Sequence, residues 1–408
     1  MYDVIVIGAR VAGSPTAMLL ARKGYRVLAV DRATFPSDTL STHILHTPGV
    51  GALKRWGLLD TLVATGCPPL EQYTFDFGPL VITGTSVPVE GNRTAYCPRR
   101  TVLDEILVNA AREAGVEVRE GYNVDELIVE DGRVVGIRSG DREDRARIVI
   151  GADGRNSHVA KAVGAEEYNT KPRLQYSYYT YFSGLPVDGM ENYIRPDRGF
   201  GVAETHDGLT IIVAGWPYAE AAAYKADVEG NFFKTLELVP EFAERVRHAK
   251  REAPFLGGAV PSFFRKPYGE GWALVGDAGY NKDPITAQGM SDAFLDAERC
   301  TDATDRWLQG ASYDEVMAAW QQERDAKAMP IYEFTSQLAT LEPPPPELQQ
   351  LLAAVRASQE SMDEFMSVVS GAISPAEFFS EENVGEIFQR AAQGAAQGAA
   401  QGAAQLVP

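Results

Sequence analysis

Two hydrophobic periods alternate over the first thirty residues. Residues 3–8, DVIVIG, form an unbroken apolar run that stops on glycine, the pattern of a short buried strand. VAGSPTAMLLARKG then carries apolar positions at helical spacing up to Gly24, and YRVLAVDR is a second apolar run ending at Asp31 and Arg32. Strand, helix and strand in that order make one βαβ unit. Further on, QYTFDFGPLVITGTSVPV mixes strand formers with turns, and TVLDEILVNAAREAG returns to helical spacing. VDELIVEDGRVVGIRS reads as a hairpin turning on Asp-Gly, and ARIVIGADG as a third apolar strand. Residues 168–264 are strand-rich and aromatic. WALVGDAG repeats the strand-to-glycine pattern, and a helix is predicted from Gly289 to about Leu308. Beyond the prolines at 343–346 the pattern is helical, with Ser374-Pro375-Ala376-Glu377 predicted as a capping box. The tail AAQGAAQGAAQGAAQ is a four-residue repeat in which alanine favours helix and glycine weakens it.

The first turn has the pattern Gly8-x-Arg10-x-x-Gly13. In a dinucleotide-binding loop the first glycine makes the tight turn, the second admits the pyrophosphate, and the third lets the helix pack on the strand. Gly8 and Gly13 fill the outer positions, and an arginine stands at the middle one. The helix N-terminus offers free N–H groups and the positive end of its dipole to the phosphates. Asp31 follows the second strand, where a carboxylate accepts from ribose hydroxyls. Arg10 is expected to leave the loop sideways and meet a phosphate or another ligand anion, since a guanidinium suits bidentate contacts. Asp153-Gly154 follows the third strand, where a glycine turn lets backbone approach a ligand. Asp277 sits at a strand end suited to a ribityl hydroxyl, and Gly289 opens a second helix N-terminus.

Together these segments resemble the flavoprotein monooxygenases of the para-hydroxybenzoate hydroxylase type and their relatives, the geranylgeranyl reductase-like enzymes and the flavin-dependent halogenases. The resemblance covers roughly residues 1–330. It rests on Gly8-x-Arg10-x-x-Gly13, Asp31-Arg32, Arg100-x-x-Leu103-Asp104, Gly151-Ala152-Asp153-Gly154 and Gly276-Asp277-Ala278. It implies FAD as cofactor and NADPH or NADH as reductant. Gly8, Arg10 and Gly13 would then bind the diphosphate, and Asp31 and Arg32 the adenosine ribose. Arg100 would contact FAD, Val124 the adenine, and Asp277 the ribityl or diphosphate oxygens. Pro284, Gly289 and Met290 join the cofactor set, the last two against the flavin ring, and Asp153 would serve both FAD and the nicotinamide. The implied fold is a discontinuous α/β Rossmann-like FAD-binding domain of residues 1–70, 95–167 and 265–330. An antiparallel β-sheet substrate domain takes residues 71–94 and 168–264, and a helical C-terminal extension takes residues 331–408. Two departures stand out. Gly279-Tyr280 occupies a place where monooxygenases often have Ala-His, and Asp283-Pro284 looks more like the reductase and halogenase loops. The halogenase Trp-x-Trp-x-Ile-Pro motif is absent, and Gly215-Trp216-Pro217 is no substitute for it.

Substrate chemistry has fewer markers. His43 and His46, in DTLSTHILHTPGV, are the catalytic candidates, able to donate to a flavin oxygen or to deprotonate a phenol. Structural hydrogen bonding is the other role open to them. In LQYSYYTYF the period of two aligns Tyr176, Tyr178 and Phe182, and in QYTFDF it aligns Tyr73, Phe75 and Phe77. Such faces suit either the roof of an apolar cavity or ordinary sheet packing. The five histidines have no ligand spacing, and the three cysteines are widely separated, so neither a metal site nor a disulfide framework is expected. A net charge of −18 over 408 residues argues against nucleic acid or an anionic membrane as partner. The expected protein is soluble and cytoplasmic, without a membrane span. Its expected function is FAD-dependent hydroxylation of an apolar, aromatic or polycyclic small molecule with NAD(P)H and O2. The alternatives are reduction of carbon–carbon double bonds and a non-catalytic flavin-binding role.

Overall fold

A parallel sheet organises the N-terminal half of the chain. The computed structural model describes the backbone of residues 1–404 and the side chains of residues 1–394. Across the sheet run Trp272–Leu274, Arg142–Gly151, Tyr2–Ile7, Val27–Val30 and Glu117–Arg119, all parallel, with Tyr268–Gly269 antiparallel at one edge. A sheet covered on both faces needs continuous apolar strands rather than alternating ones. Val4, Ile5 and Val6 are accordingly all fully buried. Helices Gly13–Arg22, Arg100–Glu113 and Gly289–Leu308 cover one face through Met18, Leu103, Leu107 and Phe294. The hairpin of Glu126–Glu130 and Arg133–Ser139 contributes Val134 and Ile137 to the other. Strand Arg142–Gly151 serves both units, pairing first with the hairpin and then with the parallel sheet.

The second large sheet has the spatial order 250–251, 175–183, 209–217, 198–204, 190–195, 73–76 and 81–84. It is antiparallel except where Met190–Arg195 runs parallel to Tyr73–Asp76. One face, with Phe182, Phe200, Ile212 and Trp216, packs under the short helices between Ala221 and Arg247. The other face, with Tyr179, Tyr181, Ala203 and Ile211, shares a core with Leu352, Phe365 and Val369 from the C-terminal helices. A three-stranded sheet of 167–171, 262–265 and 280–281 stands beside both.

The expected α/β Rossmann-like fold with a β-sheet unit and a helical C-terminal region is the one observed. The helix expected to begin at Gly289 runs Gly289–Leu308. Ser374 caps Pro375–Phe378 by accepting from Ala376 N–H at 3.3 Å, though that helix is only four residues long. The aromatic faces divide. Tyr176, Tyr178 and Phe182 do not roof a cavity: Tyr178 lies 6.0 Å from Trp216 and the Lys225 ammonium sits over Tyr176. The period of two was right, but it turns these rings toward the covering helices and leaves Tyr179 and Tyr181 on the inner face. Among the described residues no helix is long and apolar enough to cross a membrane.

Trp216 is fully buried, its ring 4.2 Å from Tyr224, and its indole N–H donates to Thr235 Oγ1 at 2.8 Å. Replacing it with alanine should cost about 3–5 kcal/mol, as large-to-small changes in a packed core do. Urea unfolding followed by fluorescence of the remaining tryptophans measures this, and a loss under about 1 kcal/mol would show that the site collapses freely.

Candidate active site

Three turns at the carboxyl ends of the parallel strands meet at distances that exclude side chains. Gly8 has φ +100°, and a Cβ there would lie 2.4 Å from the Ala152 carbonyl oxygen. A Cβ on Gly13 would lie 1.8 Å from the Gly8 oxygen, and one on Gly276 2.7 Å from Ala12 Cβ. Ligand sites of open α/β sheets form at such strand ends. Here they enclose a cleft of about 810 Å³. Its wall includes Gly8, Arg10, Asp31, Arg32, Arg100, Val124, Asp153, Asp277, Pro284, Gly289 and Met290. Of the expected cofactor residues only Gly13 stands behind the wall, where it packs the helix on the loop.

The polar groups of the cleft are held in specific ways. Asp31 accepts from Ala9 N–H and Ala33 N–H, each at 2.8 Å, so it ties the loop after Gly8 to the end of the second strand. Each carboxylate oxygen keeps acceptor capacity beyond these bonds. Asp153 accepts from His158 N–H at 2.6 Å through Oδ2, while its Oδ1 is buried without a partner. Asp277 borders the cleft, and burial raises its carboxyl above the usual range. Gly289 begins a 20-residue helix, and the space around its Cα is open.

Arg10 does turn sideways, but the anion it meets belongs to the protein. Its Nη1 donates to Asp104 Oδ2 at 2.6 Å, and its Nη2 donates to Ser37 Oγ at 2.7 Å. Its guanidinium also lies 5.3 Å from the Phe35 ring centre. Arg100 reaches the same carboxylate through two 3.0 Å bonds. Asp104 is fully buried; burial raises its carboxyl, and the two guanidiniums pull against that shift. One acid thus fixes two cations at the wall of the cleft. Asp104 carries no side-chain role in the sequence motif alone, because its two partners come from separate segments.

The two histidines separate. His46 is fully buried, and Tyr73 Oη and the Thr286 carbonyl lie 3.0 Å from its two nitrogens. A carbonyl only accepts, so Nε2 carries the proton and Nδ1 accepts from the Tyr73 hydroxyl. No nitrogen is left for substrate. His46 is therefore a bolt between strand Tyr73–Asp76 and the turn at residues 284–286, the structural of the two roles open to it. His43 is also fully buried, and it borders neither cavity. Its Nε2 pairs with Tyr181 Oη, Nδ1 has no partner, and its φ is +62°. Burial, helped by Arg100 and Arg99, lowers it to about 3, so it is neutral at physiological pH.

A second cavity of about 1020 Å³ lies under the inner face of the large sheet. Phe75, Phe77, Ile211, Phe334 and Phe365 supply aromatic and aliphatic walls, and prolines 343–345 border it. The cleft and this cavity share Thr42, Pro284 and Ala287. Two of the three belong to the turn that His46 fastens. A polar cleft and an apolar chamber therefore meet at one anchored turn.

Residues 1–226 match the FAD binding domain family, and the chain belongs to it. With its relatives it stands among the FAD-dependent oxidoreductases of monooxygenase and halogenase type, and it is an enzyme. It is 24% identical over 336 residues to the 1H-pyrrole-2-carbonyl-[peptidyl-carrier protein] brominase of Pseudoalteromonas luteoviolacea, covering 78% of this chain and 81% of that one. It is 27% identical over 312 residues to the digeranylgeranylglycerophospholipid reductase of Methanosarcina acetivorans, covering 72% of each. It is 27% identical over 327 residues to the 6-methylpretetramide 4-monooxygenase of Streptomyces rimosus, covering 72% and 73%. The flavin-dependent brominase Bmp2 superposes with a TM-score of 0.80 at 18% identity, over 97% of this chain and 99% of that chain. The myxobacterial chondrochloren halogenase CndH gives 0.77 at 24% identity, over 96% and 97%.

The His46 bolt has a pH signature. Burial depresses the ring from 6.5 to about 4, so below pH 6.5 the unfolded chain takes up a proton that the folded one refuses. Stability from this group is complete above pH 6.5 and lost as pH falls toward 4, by about 1.4 kcal/mol per pH unit. His46→Gln should flatten the stability curve over that window relative to the native chain. Parallel curves from urea unfolding would show that His46 does not carry this linkage.

Proposed function

We propose that this enzyme is a monooxygenase that hydroxylates an apolar, aromatic or polycyclic small molecule, with reduced nicotinamide as electron source and O2 as co-substrate. The observation that carries the proposal is the meeting of the two cavities at Thr42, Pro284 and Ala287. The cleft has the chemistry of a dinucleotide site. Gly8 makes the tight turn that packs the loop on Ala152, the N-termini of the helices at Gly13 and Gly289 favour anionic groups, and Asp31 offers acceptors to a ribose. Asp153 Oδ1 and Asp277 add acceptors for further hydroxyls, and Val124 borders the adenosine end. Bound FAD would supply the redox chemistry and the activation of oxygen. The protein's part is to hold the two molecules at one junction, to exclude water with the phenylalanine walls, and to keep the turn at 284–287 fixed through His46.

The monooxygenase relative from Streptomyces rimosus supports hydroxylation. The reductase and brominase relatives, and the Asp283-Pro284 pair, favour a second reading in which the same cavities serve reduction of a carbon–carbon double bond or halogenation. Product mass separates them. The FAD-loaded protein, given NADPH or NADH, 18O2, bromide and a panel of aromatic and polyene compounds, should yield products carrying one labelled oxygen. Products that gain two hydrogens without oxygen would establish reduction in its place, and bromide incorporation would establish halogenation.

Asp31 is the group on which the cofactor assignment is most exposed. Asp31→Ala removes a charge-assisted acceptor, worth on the order of 1.5–3 kcal/mol, and should weaken FAD binding roughly ten- to a hundredfold. Fluorescence titration of the apoprotein with FAD measures it, and an unchanged Kd in a folded variant would remove Asp31 from the site.

A further inference from the structure

Asp283 lines the polar cleft one residue before the junction of the two cavities, with half of its carboxylate unused. The residue is 3% exposed. Its Oδ1 accepts from Ile285 N–H at 3.0 Å and from the Gln175 side-chain amide. Its Oδ2 is buried and has no partner. Asp283 borders the polar cleft, while Gln175 and residues 284–287 border the apolar cavity. Among the described residues no cation compensates it. Lys282, its chain neighbour, pairs with Asp292, and Glu333 on the apolar cavity wall pairs with Lys171 at 3.0 Å. Buried polar groups in folded proteins are nearly always hydrogen-bonded, and an exception in a cleft points to a bound partner.

We propose that Asp283 Oδ2 accepts a hydrogen bond from a hydroxyl or ring N–H of the substrate at the point where the apolar cavity opens into the cleft. The inference rests on the reading of that cavity as the substrate site, and it names the substrate class more narrowly: an apolar ring system with one donor at its leading edge. The donor edge is then the part turned toward the cleft. Gln175 is the positioning residue, since its amide holds the other carboxylate oxygen and leaves Oδ2 as the acceptor. The turn itself cannot drift, because His46 donates to the Thr286 carbonyl and the Thr286 and Thr335 hydroxyls lie 2.9 Å apart. Burial pushes the Asp283 carboxyl up to about 7, so the acceptor form prevails in mildly alkaline solution.

The test is calorimetric binding to the FAD-loaded protein at about pH 8.5, with 2-naphthol and its methyl ether as paired probes. The native protein should prefer 2-naphthol by about tenfold or more, the worth of a charge-assisted hydrogen bond. Asp283→Asn should bring the two probes within about threefold of each other. Asp283→Ser, which keeps a cap for Ile285 N–H, carries the same test if the asparagine variant fails to load FAD. Equal binding of the two probes by the native protein, no saturable binding of either, or a preference that survives in the variant would each overturn the proposal. Binding is read without turnover, so the two ideas fail separately. Lost preference in the variant without any hydroxylated product would leave Asp283 as donor acceptor in a different reaction. Hydroxylation with the preference intact in the variant would remove Asp283 alone.

Discussion

The architecture turns on backbone approaching backbone more closely than any side chain permits. Gly8 lies against Ala152, Gly13 against Gly8, and Gly276 against Ala12, each closer than a Cβ tolerates. These contacts draw the ends of three parallel strands together, and so bring Asp31, Asp153 and Asp277 to one cleft from segments more than a hundred residues apart. Two of the three glycines also have positive φ, which adds a conformational demand to the steric one. Loss of any of these contacts would open the cleft before it touched a polar group.

The arginine in the Gly8–Gly13 loop is consistent with this constraint. Its Cα sits where close backbone approach is usual, but its side chain leaves the ligand path to reach Asp104 and Ser37. Asp104 is shared with Arg100, so a buried carboxylate is matched by two guanidiniums, and the pairing ties the loop to helix Arg100–Glu113 and to the segment around Phe35. Removing one partner from such a cluster leaves an uncompensated charge, which costs far more than an exposed ion pair contributes. The position that departs from the glycine fingerprint has become a strut.

Much of this was legible in the chain. The continuous apolar runs gave the parallel strands, the glycine and acid positions gave the cleft, and the helical spacing after Gly289 gave the long helix that covers the sheet. What periodicity cannot supply is the direction in which a strand's two faces look. LQYSYYTYF has tyrosines on both faces, so alternation alone could not say that Tyr178 meets Trp216 while Tyr181 meets His43. The partners of a buried polar side chain are equally hidden. His46 became structural because Tyr73 and Thr286 reach it from positions 27 and 240 residues away. Asp283 attracted notice only as the residue before a proline, since nothing local shows that one of its oxygens is left unpaired.

In the proposed function the cleft and the apolar cavity are two halves of one site, joined at the turn of residues 284–287. The flavin absorbance spectrum reports on it directly. Naphthalene, which has no polar group, should bind the FAD-loaded protein saturably and perturb the visible flavin bands with the same Kd that calorimetry gives. Calorimetric binding that leaves the flavin spectrum unchanged would contradict a single joined site.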